Sequence, residues 1–461
     1  MSQPTPPPDT ETHLLSDLPP SHPAHELAHP PATAALDALE YRSAAEAMFE
    51  PEAPTTHHVG WGFISLYSLA YMGTWLALLS PVLVTLSLKV NALVGTAQGP
   101  ASLGLVAGVG ALLALVANPF FGKLSDRTTS RLGMRRPWMV LGLAGGAVGL
   151  FIVAVAPSIP VVLFGWCIAQ LAFNALLAAT VAVLPDQVPP QQRGLVSGVL
   201  GVCTPLALVG GSYVVQLVAP NQIAMFLFPV AIGGFFVLLF ALTLKDRRLD
   251  PGATEPWSLR EFAKTFYVNP RRNPDFAWAW LSRFLFVLAY AFLVTYQAFY
   301  LLDQIGSSAS DVPRQIFLGT LVQAVVVIGA SIAGGKLSDL TGRRKIFVLV
   351  AAVVYGMALF VIAAATGFNG FLVGMAISGL GFGVYVAVDL ALVADVLPNK
   401  EDCAKDLGVF NIASAGPQSL APAIAPAILA VGGGSYGVLY AVAGACAVLS
   451  ALAILKVRGV R

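Results

Sequence analysis

Two charged residues stand where charge is expensive. Asp389 and Arg283 each lie inside a long apolar run, in a chain of 461 residues that is 57% hydrophobic and only 11% charged. A charged side chain deep in a bilayer costs roughly 2.5–3.5 kcal/mol even on lenient insertion scales, so such groups pair with one another or line a pathway. Asp389 precedes Asp395, at the end of its run, by six residues, which places it about 9 Å inside at 1.5 Å per residue. Arg283 lies about seven residues into its own run from the same side. The two are expected at one depth, with Asp389 as a proton-binding carboxylate and Arg283 as the partner it leaves when substrate or conformation changes. A permanent structural ion pair is the competing reading. No histidine lies in any apolar run, so few groups could carry a proton.

Polar and aromatic residues also recur at helical spacing. Tyr67, Tyr71 and Trp75 are spaced by four, as are Trp166, Gln170 and Asn174, so each set shares a helix face. Arg283, Tyr290 and Gln297 follow at intervals of seven, which drift by only about 20° per step. Ser378, Tyr385 and Asp389 mark a fourth run, and Gln323, Asn411 and Gln418 add further amides. Stacked rings and amides suit a neutral polyhydroxylated solute, whose C–H faces pack on aromatics while its hydroxyls take hydrogen bonds. Helix packing and interfacial anchoring by aromatics would produce the same pattern.

These residues need elements to hold them. A soluble domain carries about twice this fraction of charge, and here runs of roughly twenty uncharged residues, the length a bilayer core demands, alternate with short charged clusters. Roughly twelve such runs centre near Tyr71, Gly110, Gly146, Ala172, Pro205, Gly233, Leu288, Ala324, Val354, Phe382, Pro417 and Gly444. Strands of a membrane barrel would be half as long and would alternate polar with apolar residues. The expected fold is an all-α polytopic membrane protein with twelve transmembrane helices. Of the 26 Lys and Arg residues, nearly all fall on one side of this arrangement, leaving Lys89 and Arg314 on the other and Arg283 inside. The positive-inside rule then puts both termini in the cytoplasm of a cell-membrane protein.

Residues 1–58, rich in Pro, Ala, His and Thr, are expected to form a disordered cytoplasmic tail. Six-helix bundles are expected over 59–245 and 276–461, joined by a linker over 246–275. Within the linker, Ser258 and Glu261 have capping-box spacing, and Leu259, Phe262 and Phe266 share a face, as in an amphipathic helix on the membrane surface. His22, His25 and His29 have neither scaffold nor thiol neighbours, so no metal site is expected, and no cofactor. Cys167, Cys203 and Cys446 lie in separate spans and Cys403 in a loop, which argues against a disulfide framework. The opening residues lack the basic start and apolar core of a signal peptide. The net charge of +2 offers no basis for binding nucleic acid.

One charged phrase is written twice. Gly122-Lys123-Leu124-Ser125-Asp126 and Gly335-Lys336-Leu337-Ser338-Asp339 each fall between the second and third runs of a half, and arginines follow both: Arg135 and Arg136, then Arg343 and Arg344. This pattern resembles the hallmark loop G-x-L-[AS]-D-[RK]-x-G-R-[RK] of the major facilitator superfamily of secondary transporters. The resemblance implies two pseudo-symmetric six-helix bundles that rock about a midplane site, with spans 1, 4, 7 and 10 facing the cavity. It also implies that Asp126 and Asp339 sit beside a helix N-terminus of the opposite half, where the helix dipole favours carboxylates. There they would pair with cytoplasmic arginines, Asp126 with Arg135 or Arg193 and Asp339 with Arg343, and latch the inner gate. Gly122 and Gly335 would permit close helix approach.

RLGMRRPW, NPDFAWAWLSRF and KDLGVFNIASAGPQSLAP are similar to segments of the sucrose/proton symporters and the glycoside-pentoside-hexuronide cation symporters. Thr204-Pro205 and Gly210-Gly211 carry the proline and glycine pair of drug/proton antiporters at a different spacing. The expected function is secondary active transport of a small polar solute, a sugar or glycoside, coupled to protons or less favourably to sodium, by a monomer. Proton-coupled efflux of a drug-like or metabolite solute, or a receptor on the same fold, are the alternatives. No cluster suited to catalysis appears in the membrane runs, so the chain is not expected to be an enzyme.

Overall fold

The computed structural model describes residues 58–248, 273–396 and 403–457, without the side chains of 339, 390–391, 393–396 and 403–411. The tail, the three tail histidines and the amphipathic helix expected in the linker lie outside the described residues. The described chain is all-helical, and the elements are α1 (Trp61–Ser80), α2 (Leu86–Asp126), α3 (Arg136–Val155), α4 (Ile159–Gln187), α5 (Pro190–Val218) and α6 (Gln222–Thr243). There follow α7 (Pro274–Phe299), α8 (Val312–Thr341), α9 (Arg344–Ala364), α10 (Phe368–Val396), α11 (Cys403–Val431) and α12 (Tyr436–Leu455).

Among the described residues, eleven helical stretches are long and apolar enough to cross a membrane, and the first of these, Trp61–Asp126, is 66 residues long. A straight helix of that length would run about 100 Å, three times the thickness of a bilayer core. It breaks at Gly95, whose φ of 70° and ψ of 179° are closed to residues with a Cβ, and so supplies two passes. Two π-helical segments, Pro81–Thr85 after α1 and Tyr300–Gln304 after α7, occupy matching places in the two halves. The first begins at a proline, which lacks the N–H a regular turn needs there.

Lipid supplies no hydrophobic drive between helices, so close approach does the work. Helices α1 and α6 touch backbone to backbone at Gly73 and Gly233, where a Cβ on Gly73 would lie 2.5 Å from the Gly233 oxygen. At the α3–α4 crossing a Cβ on Gly149 would lie 2.5 Å from the Ala169 nitrogen. In the second half α10 packs on both α8 and α9, and α12 on α9 and α7. Phe235, Leu242, Val116 and Leu340 are among the large apolar residues left exposed, as a surface solvated by lipid requires. Between the halves, α2 packs on α11 and α5 on α8.

Candidate functional site

The two halves meet at the end of the bundle away from the GKLSD loops. There Tyr213 of α5 and Phe317 of α8 lie with ring centroids 5.2 Å apart. Toward the GKLSD end the same two helices part: a Cβ on Gly194, Gly198 or Gly201 of α5, or on Gly329 of α8, would meet nothing within 4 Å. Just inside the closed end a cavity of about 10 Å³, room for about one water, is lined by Leu83 and Leu208 of one half and Tyr290, Gln297, Thr320 and Gln323 of the other.

The face of α7 that lines this cavity continues toward the GKLSD end. Gln297, 2% exposed, spends its amide N–H on the Val294 carbonyl at 3.4 Å, and its Oε1 has no partner among the described residues. Seven residues back, Tyr290 stacks on Phe382 of α10 with centroids 4.8 Å apart. Seven further back, Arg283 donates through Nη1 to Asp389 Oδ2 and through Nε to Ser414 Oγ at 2.7 Å. The carboxylate side chain is 8% exposed and the guanidinium side chain 20%. One turn before Asp389, Tyr385 lies flat on Phe286 of α7, with centroids 3.6 Å apart. Gln323 Nε2 donates to Ser378 Oγ at 2.9 Å, and that hydroxyl donates to the Met375 carbonyl at 2.8 Å. Residues from α7, α8, α10 and α11 thus form one polar strip in a greasy half. Ser414 was not singled out by sequence; it sits one turn before Gln418, and the facing of α11 on α7 that brings it to Arg283 is a tertiary fact.

The first half contributes differently. Tyr67 corrects the stripe reading: it is wholly buried in its own half, donates its hydroxyl to the Thr180 carbonyl at 2.9 Å and stacks on Phe240 at 5.3 Å. A spacing of four fixes a shared face only loosely, and the top of the α1 stripe turns toward α4 and α6. Tyr71 and Trp75 stay half-buried, edge to face, with centroids 6.2 Å apart. Asn174 Nδ2 donates to the carbonyl and Oε1 of Gln170 at 2.8 and 3.2 Å, so the two buried amides are tied to one another. Gln418 is exposed and reaches the Ser414 carbonyl at 3.4 Å. The Asn411 side chain lies outside the described residues.

The first GKLSD loop is an arginine-centred knot within one half. Arg135, 5% exposed, binds Asp126 at 2.6 Å, Asp186 of α4 at 2.8 Å and Ser125 Oγ at 3.0 Å. Burial works against the guanidinium charge, but Asp186 and then Asp126 outweigh it and hold the pKa above the ordinary arginine value. Arg193 is not Asp126's partner: its Nε and Nη2 each donate at 3.0 Å, to the carbonyls of Val188 and Pro185, closing the turn between α4 and α5. A helix N-terminus of the same half is capped by Asp246, whose Oδ2 accepts from the backbone N–H groups of Arg135 and Arg136 at 2.7 and 2.9 Å at the start of α3. Sequence reading missed both Asp246 and Asp186 as partners. Arg136 meanwhile donates to the carbonyls of Leu242 and Leu244 at the end of α6. Gly122 is in loose contact with Ala178, and Gly335 with Ala387. In the second loop, Arg343 is exposed at the start of α9, α8 ends on Gly342 in the left-handed conformation, and Arg344 opens α9. The Asp339 side chain lies outside the described residues.

Comparison with known proteins places this arrangement. The profile of the Major Facilitator Superfamily matches residues 63–330 and 313–460. The chain is 28% identical over 210 residues to "MFS transporter asaE" of Aspergillus flavus, covering 44% of each chain. It is 29% identical over 191 residues to the class G tetracycline resistance protein of Vibrio anguillarum, covering 41% of this chain and 46% of that one. Both matches span about half the length of those relatives. Among solved structures, the nucleoside transporter NupG superposes with a TM-score of 0.68 at 14% identity, over 86% of this chain and 99% of that one. The D-xylose-proton symporter superposes with a TM-score of 0.63 at 14% identity, over 87% and 98%. A bacterial Spinster homologue gives 0.57 at 16% identity, over 86% and 97%. At these identities the superpositions speak for fold alone; the profile, which runs from residue 63 to 460, shows the family, and the chain, an integral membrane protein, belongs to the Major Facilitator Superfamily.

Proposed function

We propose that the chain moves a small neutral polar solute, of the sugar or glycoside class, by alternating access coupled to protons. The observation that carries this reading is the buried Arg283–Asp389 pair, hydrogen-bonded to Ser414 and lying on the helix face that leads to the cavity between the halves. Two opposite charges held together inside an apolar half form a neutral unit. Protonating Asp389 removes the negative charge that faces Arg283 while the guanidinium keeps its bond to Ser414, so a proton and a solute at this place can each alter what the other finds. Tyr290, Gln297 and Gln323 supply a ring and two amides on the same side, chemistry suited to a hydroxylated solute. The likeness in fold to a D-xylose-proton symporter supports the sugar class.

The match to a tetracycline resistance protein favours a second reading, export of a drug-like solute by the same site. Uptake into proteoliposomes under an imposed pH gradient, with a panel of mono- and disaccharides and with tetracycline, separates the two. Accumulation of a sugar on the alkaline side supports the proposal. Silence with every sugar, together with tetracycline movement against the proton gradient, establishes the second reading.

A further inference from the structure

The closed end of the bundle is held by an unusual hydrogen bond. Tyr296 of α7 is wholly buried, and its hydroxyl lies 3.1 Å from the carbonyl of Pro422 in α11 and 3.3 Å from the carbonyl of Pro100 in α2. One proton is thus shared between acceptors on the two halves. The Pro422 carbonyl is available because the residue that would bond it in a regular helix, four positions on, is Pro426, which has no N–H. The fit around it is tight. A Cβ on Gly104 would come 2.5 Å from the Pro422 oxygen, 2.8 Å from Pro426 Cγ and 3.1 Å from the Tyr296 oxygen, and one on Gly99 would run into the Phe299 ring. Gly99 and Gly104 clear the face of α2 for α7 and α11, and Tyr296 then ties the three helices.

From this geometry we infer that Tyr296 is the latch of the gate opposite the GKLSD loops. Its hydroxyl is seated in the second half on the carbonyl that the Pro422/Pro426 pair leaves free, and from there it reaches across to the Pro100 carbonyl of the first half. The inference rests on the alternating-access reading but on neither the solute nor the coupling ion. When the halves rock, the bond to Pro100 must break while the bond to Pro422, within the second half, can remain. Tyr296 is therefore carried with the second half and releases the first.

The test is a distance measurement that needs no substrate. Spin labels are placed at Ser158, between α3 and α4, and at Ala309, between α7 and α8, both exposed at the latched end, in an otherwise cysteine-free full-length chain in lipid nanodiscs. Tyr296→Phe keeps the ring and removes only the hydroxyl. It should raise the ratio of the long-distance to the short-distance population about twofold, the effect of losing the Pro100 share of one buried hydrogen bond, since the Pro422 share is lost from both states alike. Gly104→Ala, which obstructs the same contact sterically, should shift it in the same direction. An unchanged distribution in Tyr296→Phe overturns the latch, whatever Gly104→Ala does. Because the readout does not involve transport, failure of the sugar or proton assignment leaves this result standing, and the reverse also holds.

Discussion

Replacing Arg135 with methionine removes a charge but keeps an unbranched chain of similar reach, and the structure allows its cost to be apportioned. The Asp126 side chain is 56% exposed, so its bond to Arg135 behaves as a surface ion pair and contributes under about 1 kcal/mol. Asp186 is 33% exposed and accepts a charge-assisted bond from Nε, which after partial solvent screening is worth about 1–2 kcal/mol. Ser125 Oγ, wholly buried, loses its donor from Arg135 but keeps its own 3.3 Å bond to the Met134 carbonyl, at a cost of about 1 kcal/mol. The expected total for Arg135→Met is about 2–4 kcal/mol. Asp186→Asn should cost about half of this, and Asp126→Asn under about 1 kcal/mol. Equilibrium unfolding in mixed detergent micelles, run as a double-mutant cycle, checks the order, and Arg135→Met with Asp186→Asn should be clearly less than additive. If Asp126→Asn proved as costly as Arg135→Met, the assignment of Asp186 as the principal partner would be wrong.

Other expectations follow from single contacts. Asp246→Ala removes the acceptor for two backbone N–H groups at the start of α3 and should destabilise by about 1–2 kcal/mol, as loss of a helix cap does, in the same unfolding assay. Gly149→Leu forces apart the α3–α4 crossing and should cost about 1–3 kcal/mol, whereas Gly194→Leu, which faces open space, should be near neutral. Tyr67→Phe should lower stability by about 1 kcal/mol through the lost bond to Thr180 and leave KM for transport unchanged, while Gln297→Leu should raise KM. A Tyr67→Phe variant with a raised KM would return Tyr67 to the solute-lining set.

The helices were legible because a bilayer imposes a length on every pass, and each of the expected centres falls within its own helix in α1–α12. The bend at Gly95 was less so: Gly95 and the Gly99-Pro100 pair beyond it both offer a break, and only the structure shows that the chain turns at Gly95 and that the helix carries on through Pro100. Arg283 and Asp389 could be set at one depth by counting residues from the ends of α7 and α10, because rise per residue is constant. Which direction a side chain faces is another matter. Tyr67 and Tyr71 sit one turn apart, yet one is core and the other is half-buried, because the neighbours of α1 change along its length. The Arg135 knot shows the same limit. Arg193 and Arg135 were equally placed by sequence to meet Asp126, and only the fold of the α4–α5 turn, which commits Arg193 to the Val188 and Pro185 carbonyls, decides between them. Asp246 belongs to the end of α6 in sequence and to the start of α3 in space, a relation no local pattern encodes.

The central claim is that Asp389, held by Arg283, couples solute movement to protons. Its most direct test is the Asp389→Asn protein in proteoliposomes, with accumulation of the transported sugar under a pH gradient measured beside exchange of that sugar at equal pH. The account predicts that exchange persists and gradient-driven accumulation is lost. Accumulation undiminished in Asp389→Asn would contradict it.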